Sequence, residues 1–190
     1  MMTNSPGLLI SVRSLNEARI AQQSGADLID LKEPLEGSLG RVGASVLNEI
    51  ATENWNVPLS AALGELCEWT PMEIPDNFRY LKWGLSKLRN QDWRARLENQ
   101  SVDASRVVAV AYADAERASS PSVLDVLRWA CDRSAGAFLI DTYGKDRGNL
   151  MSHLSIEELK SAQSQCREHD LSLALAGSLS ESEIEALMEA

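Results

Sequence analysis

The sequence predicts an α/β fold, a parallel barrel built from repeated strand–helix units, and three observations carry that prediction. Short, almost continuously apolar runs recur along the chain, the pattern of strands buried on both faces of a parallel sheet. Longer amphipathic segments separate them at roughly regular spacing, as repeated right-handed βαβ crossovers require. Residues able to do chemistry stand at the ends of several different runs, where barrels carry their sites. No GxGxxG turn follows the first run, which weighs against a dinucleotide-binding open sheet.

Taken in order, the first strand is expected over Leu8–Val12, and Ser14 caps a helix through Ala18, Ile20 and Ala21 that stops before Gly25. The second strand, Leu28–Lys32, precedes a helix within Val42–Glu53 that sets Val46, Leu47, Ile50 and Ala51 on one face. After the third strand, Leu59–Leu63, the stretch 65–77 holds Pro71 and Pro75 and little periodicity, so its helix is expected to be short or missing. The fourth strand, Tyr80–Leu85, is followed by only a weak helical pattern over 91–99. The fifth, Val107–Tyr112, leads to a helix over Ser122–Arg133 with Val123, Val126, Leu127 and Ala130 at helical spacing. The sixth, Ala137–Asp141, precedes a helix opened by the capping-box sequence Ser155–Glu158 and running to about Glu168. The seventh, Leu171–Ala176, leads to a helix from Ser180 with acidic residues in its first turn, as the helix dipole favours. The chain stops after that helix. The expectation is therefore a TIM-type (β/α)8 barrel, one domain over residues 1–190, with about seven βα units present and the eighth lacking.

Composition limits the partners. The 190 residues are enough for one domain with a sizeable core, and 44% of them are hydrophobic, as in ordinary globular chains. A net charge of −10 repels phosphate backbones and anionic bilayers, so neither nucleic acid nor membrane is expected as a partner. An anionic substrate would need cations gathered locally. Cys67, Cys131 and Cys166 are far apart with no CxxC pair, which reads as reduced thiols rather than disulfides or a zinc site. The N-terminal residues show no signal-peptide pattern and no run approaches the ~20 apolar residues of a membrane helix. The cytoplasm is the expected compartment.

The candidate chemistry lies on lysines and carboxylates. Asp30 and Lys32, two apart on the second strand, should face the same side and point into the barrel. Desolvation at an apolar mouth disfavours an ammonium and frees the amine for nucleophilic attack. The competing account is a lysine fraying into the loop. Lys82 lies inside the fourth strand and, if it faces inward, needs an anionic partner or ligand; otherwise its stem packs while its head reaches water. Asp141 ends the sixth strand with Lys145 four residues on, an acid/base and a cation at the mouth, or else a cap and a solvated lysine. Asp114 holds the comparable place after the fifth strand. Two glycine turns could approach an anion: residues 36–43, which include Ser38, and Gly177–Ser178, which lead into a helix N-terminus. His153 and His169 read as capping or solvated residues, and no His/Cys cluster points to a metal or other cofactor.

The motifs GADLIDLKEPLEGSLG, YLKWGL, VVAVAYADAER, FLIDTYGKDRGNL and LALAGS, in that order over nearly the whole chain, closely resemble the (5-formylfuran-3-yl)methyl phosphate synthases. LIDLKEP followed by EGSLG is the most specific piece. The resemblance implies a TIM-barrel lyase of the methanofuran pathway (EC 4.2.3.-), converting two molecules of glyceraldehyde 3-phosphate into 4-(hydroxymethyl)-2-furancarboxaldehyde phosphate. It implies a Schiff base on Lys32 with Asp30 beside it, a second barrel lysine at Lys82, and an Asp/Lys pair at Asp141 and Lys145. Ser38, Asp114, Gly177 and Ser178 are the expected substrate-binding positions. Two other readings are weighed beside it: another Schiff-base barrel lyase on small phosphorylated carbonyls, with a Mg²⁺ variant through Asp30, Glu33 and Asp141, and a non-catalytic truncated barrel serving as a binding module. With the eighth unit lacking, the first and seventh strands are expected to carry open edges and to favour self-association into a homo-oligomer.

Overall fold

The computed structural model describes residues 6–144, 146 and 148–189. Seven strands pair in chain order, all parallel: β1 (Leu9–Val12), β2 (Leu28–Leu31), β3 (Leu59–Glu65), β4 (Phe78–Gly84), β5 (Val107–Tyr112), β6 (Ala137–Asp141) and β7 (Leu173–Leu175). Helices α1 (Leu15–Gln23), α2 (Ala44–Ala51), α3 (Trp93–Glu98), α4 (Ala115–Ala118), α5 (Val123–Asp132), α6 (Ile156–Glu168) and α7 (Glu181–Glu189) fill the connections. Side chains close the helix starts where the sequence places capping residues. Ser14 accepts from Glu17 N, Ser122 from Asp125 N, and Ser155 with Glu158 forms a complete capping box.

Strand alternation sorts the sheet into two faces. Ile29, Leu31, Ala61, Leu63, Leu81, Trp83, Ala109, Ala111, Phe138 and Ile140 join the large apolar core between sheet and helices. Their neighbours in sequence point the other way, where Ala62, Val108, Val110, Tyr112 and Leu139 form a second cluster with Tyr80, Ala137, Ala174 and Ala176 packed on it. The second cluster is the inside of a curled sheet. On a flat sheet, strands four places apart would lie about 19 Å from each other at ~4.8 Å per strand. Yet Lys32 at the end of β2 meets Asp141 at the end of β6 at 3.5 Å. The sheet must bend round to bring them together.

Among the described residues no pairing joins β7 back to β1, so the fold is a curled half-barrel with β1 and β7 as edges. These two strands are also the least covered; Leu9 is 39% exposed and β7 is only partly buried. The third unit has no helix. Residues 66–77 form a turn and an extended stretch instead, and Trp69, Met72 and Ile74 pack on the core in the helix's place. Trp69 meets the buried Trp83 of β4 edge-on at 5.6 Å.

Two register shifts separate β3 from β4. One lies between Leu59 and Ser60, where Arg79 is the extra residue, so Phe78 and Tyr80 fall on opposite faces although two apart. The second lies between Ala62 and Glu65, where β3 carries the extra residue and Gly64 has φ +85°. Glycine takes that φ without a Cβ penalty.

Candidate active site

The C-terminal ends of the strands hold two lysine–carboxylate pairs that cross the inside of the sheet. Asp30, on β2, receives donors from three sides. Lys82 Nζ of β4 lies 2.7 Å from its Oδ1, the Ser60 hydroxyl of β3 donates to the same oxygen, and the Ser11 hydroxyl of β1 donates to Oδ2 at 3.1 Å. Lys82 and Asp30 are 4% and 1% exposed, so this pair is closed off from water. Lys32 stands one step nearer the mouth. Its backbone N–H extends the β1–β2 ladder by donating to Val12 O, and its Nζ lies 3.5 Å from Asp141 Oδ2. Asp141 Oδ1 accepts the Thr142 N–H at 2.7 Å. Lys32 keeps 17% of its side chain exposed, so of these two amines it is the one a carbonyl compound can reach.

The loop after β6 is held over this centre from several sides. The Ser38 hydroxyl donates to Thr142 O at 2.5 Å and Tyr143 O at 3.1 Å. Asp114 accepts Tyr143 N–H and Gly144 N–H on its two oxygens at 2.7 and 2.9 Å. Gly177 backs onto Thr142 so closely that an added Cβ would lie 2.8 Å from Thr142 Cγ2. Of the expected substrate-binding positions, Ser38 and Asp114 are thus engaged with loop backbone, Gly177 abuts the loop, and Ser178 is exposed at the start of the turn to α7. Asp30, Lys32, Lys82 and Asp141 come together as strand alternation predicts. Lys145 lies outside the described residues.

Sequence reasoning did not reach Glu65 or Tyr112. Tyr112, fully buried beside Asp141 in the β5–β6 register, donates its hydroxyl to Glu65 Oε1 at 2.5 Å. Burial, with the Glu65 charge next, pushes the phenol well above its ordinary pKa, so it stays a proton donor. The signal in the sequence was Gly64, a glycine directly after the Leu59–Leu63 run and directly before an acid. The cysteines sit elsewhere and are poor nucleophiles; desolvation pushes the Cys166 thiol to about 11. His169 caps the C-terminus of α6. Among the described residues no His/Cys/Asp/Glu group is disposed to hold a metal ion.

Comparison with known proteins places the chain in a family. The sequence profile of the 4-HFC-P synthase family matches residues 8–190. The chain belongs to that family. It is 34% identical to the (5-formylfuran-3-yl)methyl phosphate synthase of Methanothermobacter thermautotrophicus, an alignment covering 96% of this chain and 83% of the relative. The synthase of the same name from Archaeoglobus fulgidus is 31% identical over 96% of this chain and 84% of its own length. That from Methanococcus maripaludis strain C7 is 34% identical over the same shares. No helix among the described residues is long and apolar enough to cross a membrane.

Proposed function

We propose that this chain is a (5-formylfuran-3-yl)methyl phosphate synthase. It would join two molecules of glyceraldehyde 3-phosphate into 4-(hydroxymethyl)-2-furancarboxaldehyde phosphate, for a methanofuran-type cofactor, in the cytoplasm and with no resident cofactor. The observation that carries the reading is the pair of crossed ion pairs, Lys32–Asp141 and Lys82–Asp30, at the strand ends of a chain of this family.

The chemistry follows from what each group can do. The Lys32 amine, once it has passed its proton to a carboxylate, adds to the carbonyl carbon of a first triose phosphate, and water leaves to give an iminium. The iminium draws electrons from the neighbouring carbon. That carbon gives its proton to a base, becomes an enamine and attacks the carbonyl carbon of the second triose phosphate, whose oxygen takes up a proton. Ring closure by a hydroxyl, with loss of water and inorganic phosphate, makes the furan, and hydrolysis of the imine returns Lys32. In total, two triose phosphates give one furan aldehyde phosphate, one phosphate and two waters. Lys82, held by Asp30, and Lys145, with Asp141, are the proposed proton carriers. Ser38 and Asp114 would line the substrate side of the β6 loop, and Gly177–Ser178 would receive a phosphate at the start of α7. The same reading takes the curled sheet as seven βα units of a TIM-type barrel.

Incubation with glyceraldehyde 3-phosphate and borohydride should add the reduced triose phosphate mass to the peptide carrying Lys32. Lys32→Ala should abolish the adduct. A label on Lys82 or Lys145 instead would reassign the nucleophile, and no adduct on any lysine would remove Schiff-base chemistry altogether.

A further inference from the structure

Glu65 is aimed by two glycines. Gly64, at φ +85°, makes the bulge that shifts β3 by a residue, and Glu65 then sits opposite Gly84 of β4. A Cβ at Gly84 would lie 2.3 Å from Glu65 Oε2 and 2.4 Å from Oε1, so the carboxylate occupies the space that this glycine leaves. Once there, its oxygens divide their work. Oε2 accepts the Ser86 N–H beyond β4 at 2.8 Å, and Oε1 accepts the Tyr112 hydroxyl of β5 at 2.5 Å. One side chain ties the ends of three consecutive strands, just where bulges are known to re-aim a residue beside a site.

The far end of this tie lies against the proposed nucleophile's partner. Tyr112 stands opposite Asp141 in the parallel register, and its ring packs edge-on to Tyr143 of the loop after β6 at 5.3 Å. The phenol proton is committed to Glu65, so the ring is fixed at both its edge and its hydroxyl.

We propose that Glu65 and Tyr112 are positioning residues, a strap that fixes Asp141 and the β6 loop so that Asp141 meets Lys32. The proposal rests on the reading of Lys32 as the reactive amine, but it makes a geometric claim that can be measured without turnover. A glutamine at 65 can keep the strap. Its carbonyl can accept Ser86 N–H while its amide donates to the Tyr112 oxygen. Alanine at 65 and phenylalanine at 112 cannot.

The experiment measures how fast each lysine of the 190-residue chain is reductively methylated by formaldehyde and cyanoborohydride, read by peptide mass spectrometry, with thermal melting to confirm that each variant is folded. In Glu65→Ala and in Tyr112→Phe, Lys32 should label roughly two- to fivefold faster as its ion pair loosens. Lys82, held by Asp30, and the exposed Lys160 of α6 should be unchanged, and Glu65→Gln should restore the parent rate at Lys32. Where turnover is measurable, the two strap-breaking variants should lose about ten- to hundredfold in kcat with little change in KM, the signature of a misplaced group rather than of lost binding. Equal labelling of Lys32 in all folded variants, or a Glu65→Gln as disturbed as Glu65→Ala, would overturn the strap. Absence of a glyceraldehyde 3-phosphate adduct on the parent chain would instead overturn the proposed function, and the labelling rates would still decide the strap.

Discussion

At the scale of single residues, the most exposed commitment is the buried charge on Asp30. Its pairing with Lys82 is closed off from water, and two hydroxyls complete the shell. Removing one partner of such a pair leaves the other charge stranded, whereas removing both can be nearly neutral. Lys82→Met should therefore cost about 3 kcal/mol in urea unfolding, and adding Asp30→Asn should return most of it while leaving the protein inactive. Equal stability of the single and double variants would show that Ser11 and Ser60 suffice to hold the carboxylate. Much of this centre was legible. Strand alternation puts Asp30, Lys32 and Lys82 on the inner face, and Asp141 ends a run as the barrel rule expects. What the sequence could not show is the crossing. Asp30 and Lys32 are neighbours on one strand, yet each takes its partner from another, because the curl brings distant strands closer than adjacent positions along β2.

Elements show where local chemistry decides and where it is overruled. The capping box of α6 was readable from Ser155 and Glu158 alone. Glu158 accepts Ser155 N–H at 2.8 Å and the Ser155 hydroxyl at 2.9 Å. Those bonds, the backbone one first, hold its carboxyl below the usual value of 4.5. A depressed carboxylate adds stability that is present above its unfolded pKa and lost as pH falls through the folded one. Glu158→Gln should accordingly lower the melting temperature at neutral pH, and the two melting curves should converge as pH drops below 4.5. A gap that persists in acid would mean that geometry, not charge, carries the cap. The third unit was legible in part. Pro71 and Pro75 predicted the lost helix, but not that Trp69, Met72 and Ile74 would cover the outer face instead. Glu65 escaped notice because a bulge changes the parity of a strand, and period-two reasoning stops where the period is broken.

For the whole molecule, the consequential feature is the pair of edges. β1 and β7 each have a single neighbour among the described residues, and Leu8, Leu9, Ile184 and Met188 are exposed. Unpaired edges recruit other chains. Sedimentation of the 190-residue chain should show concentration-dependent association. A clean monomer at every concentration would mean that the open edges are harmless. The sorting of charge to one face of the sheet has a consequence for folding fidelity. A slip of one residue in β2, β4 or β6 would turn Asp30, Lys82 or Asp141 into the apolar layer beneath the helices, where an unpaired charge is costly. The reactive groups thus act as register marks. Each one-residue misalignment is penalised by the same side chains that the correctly aligned pairing needs for its chemistry.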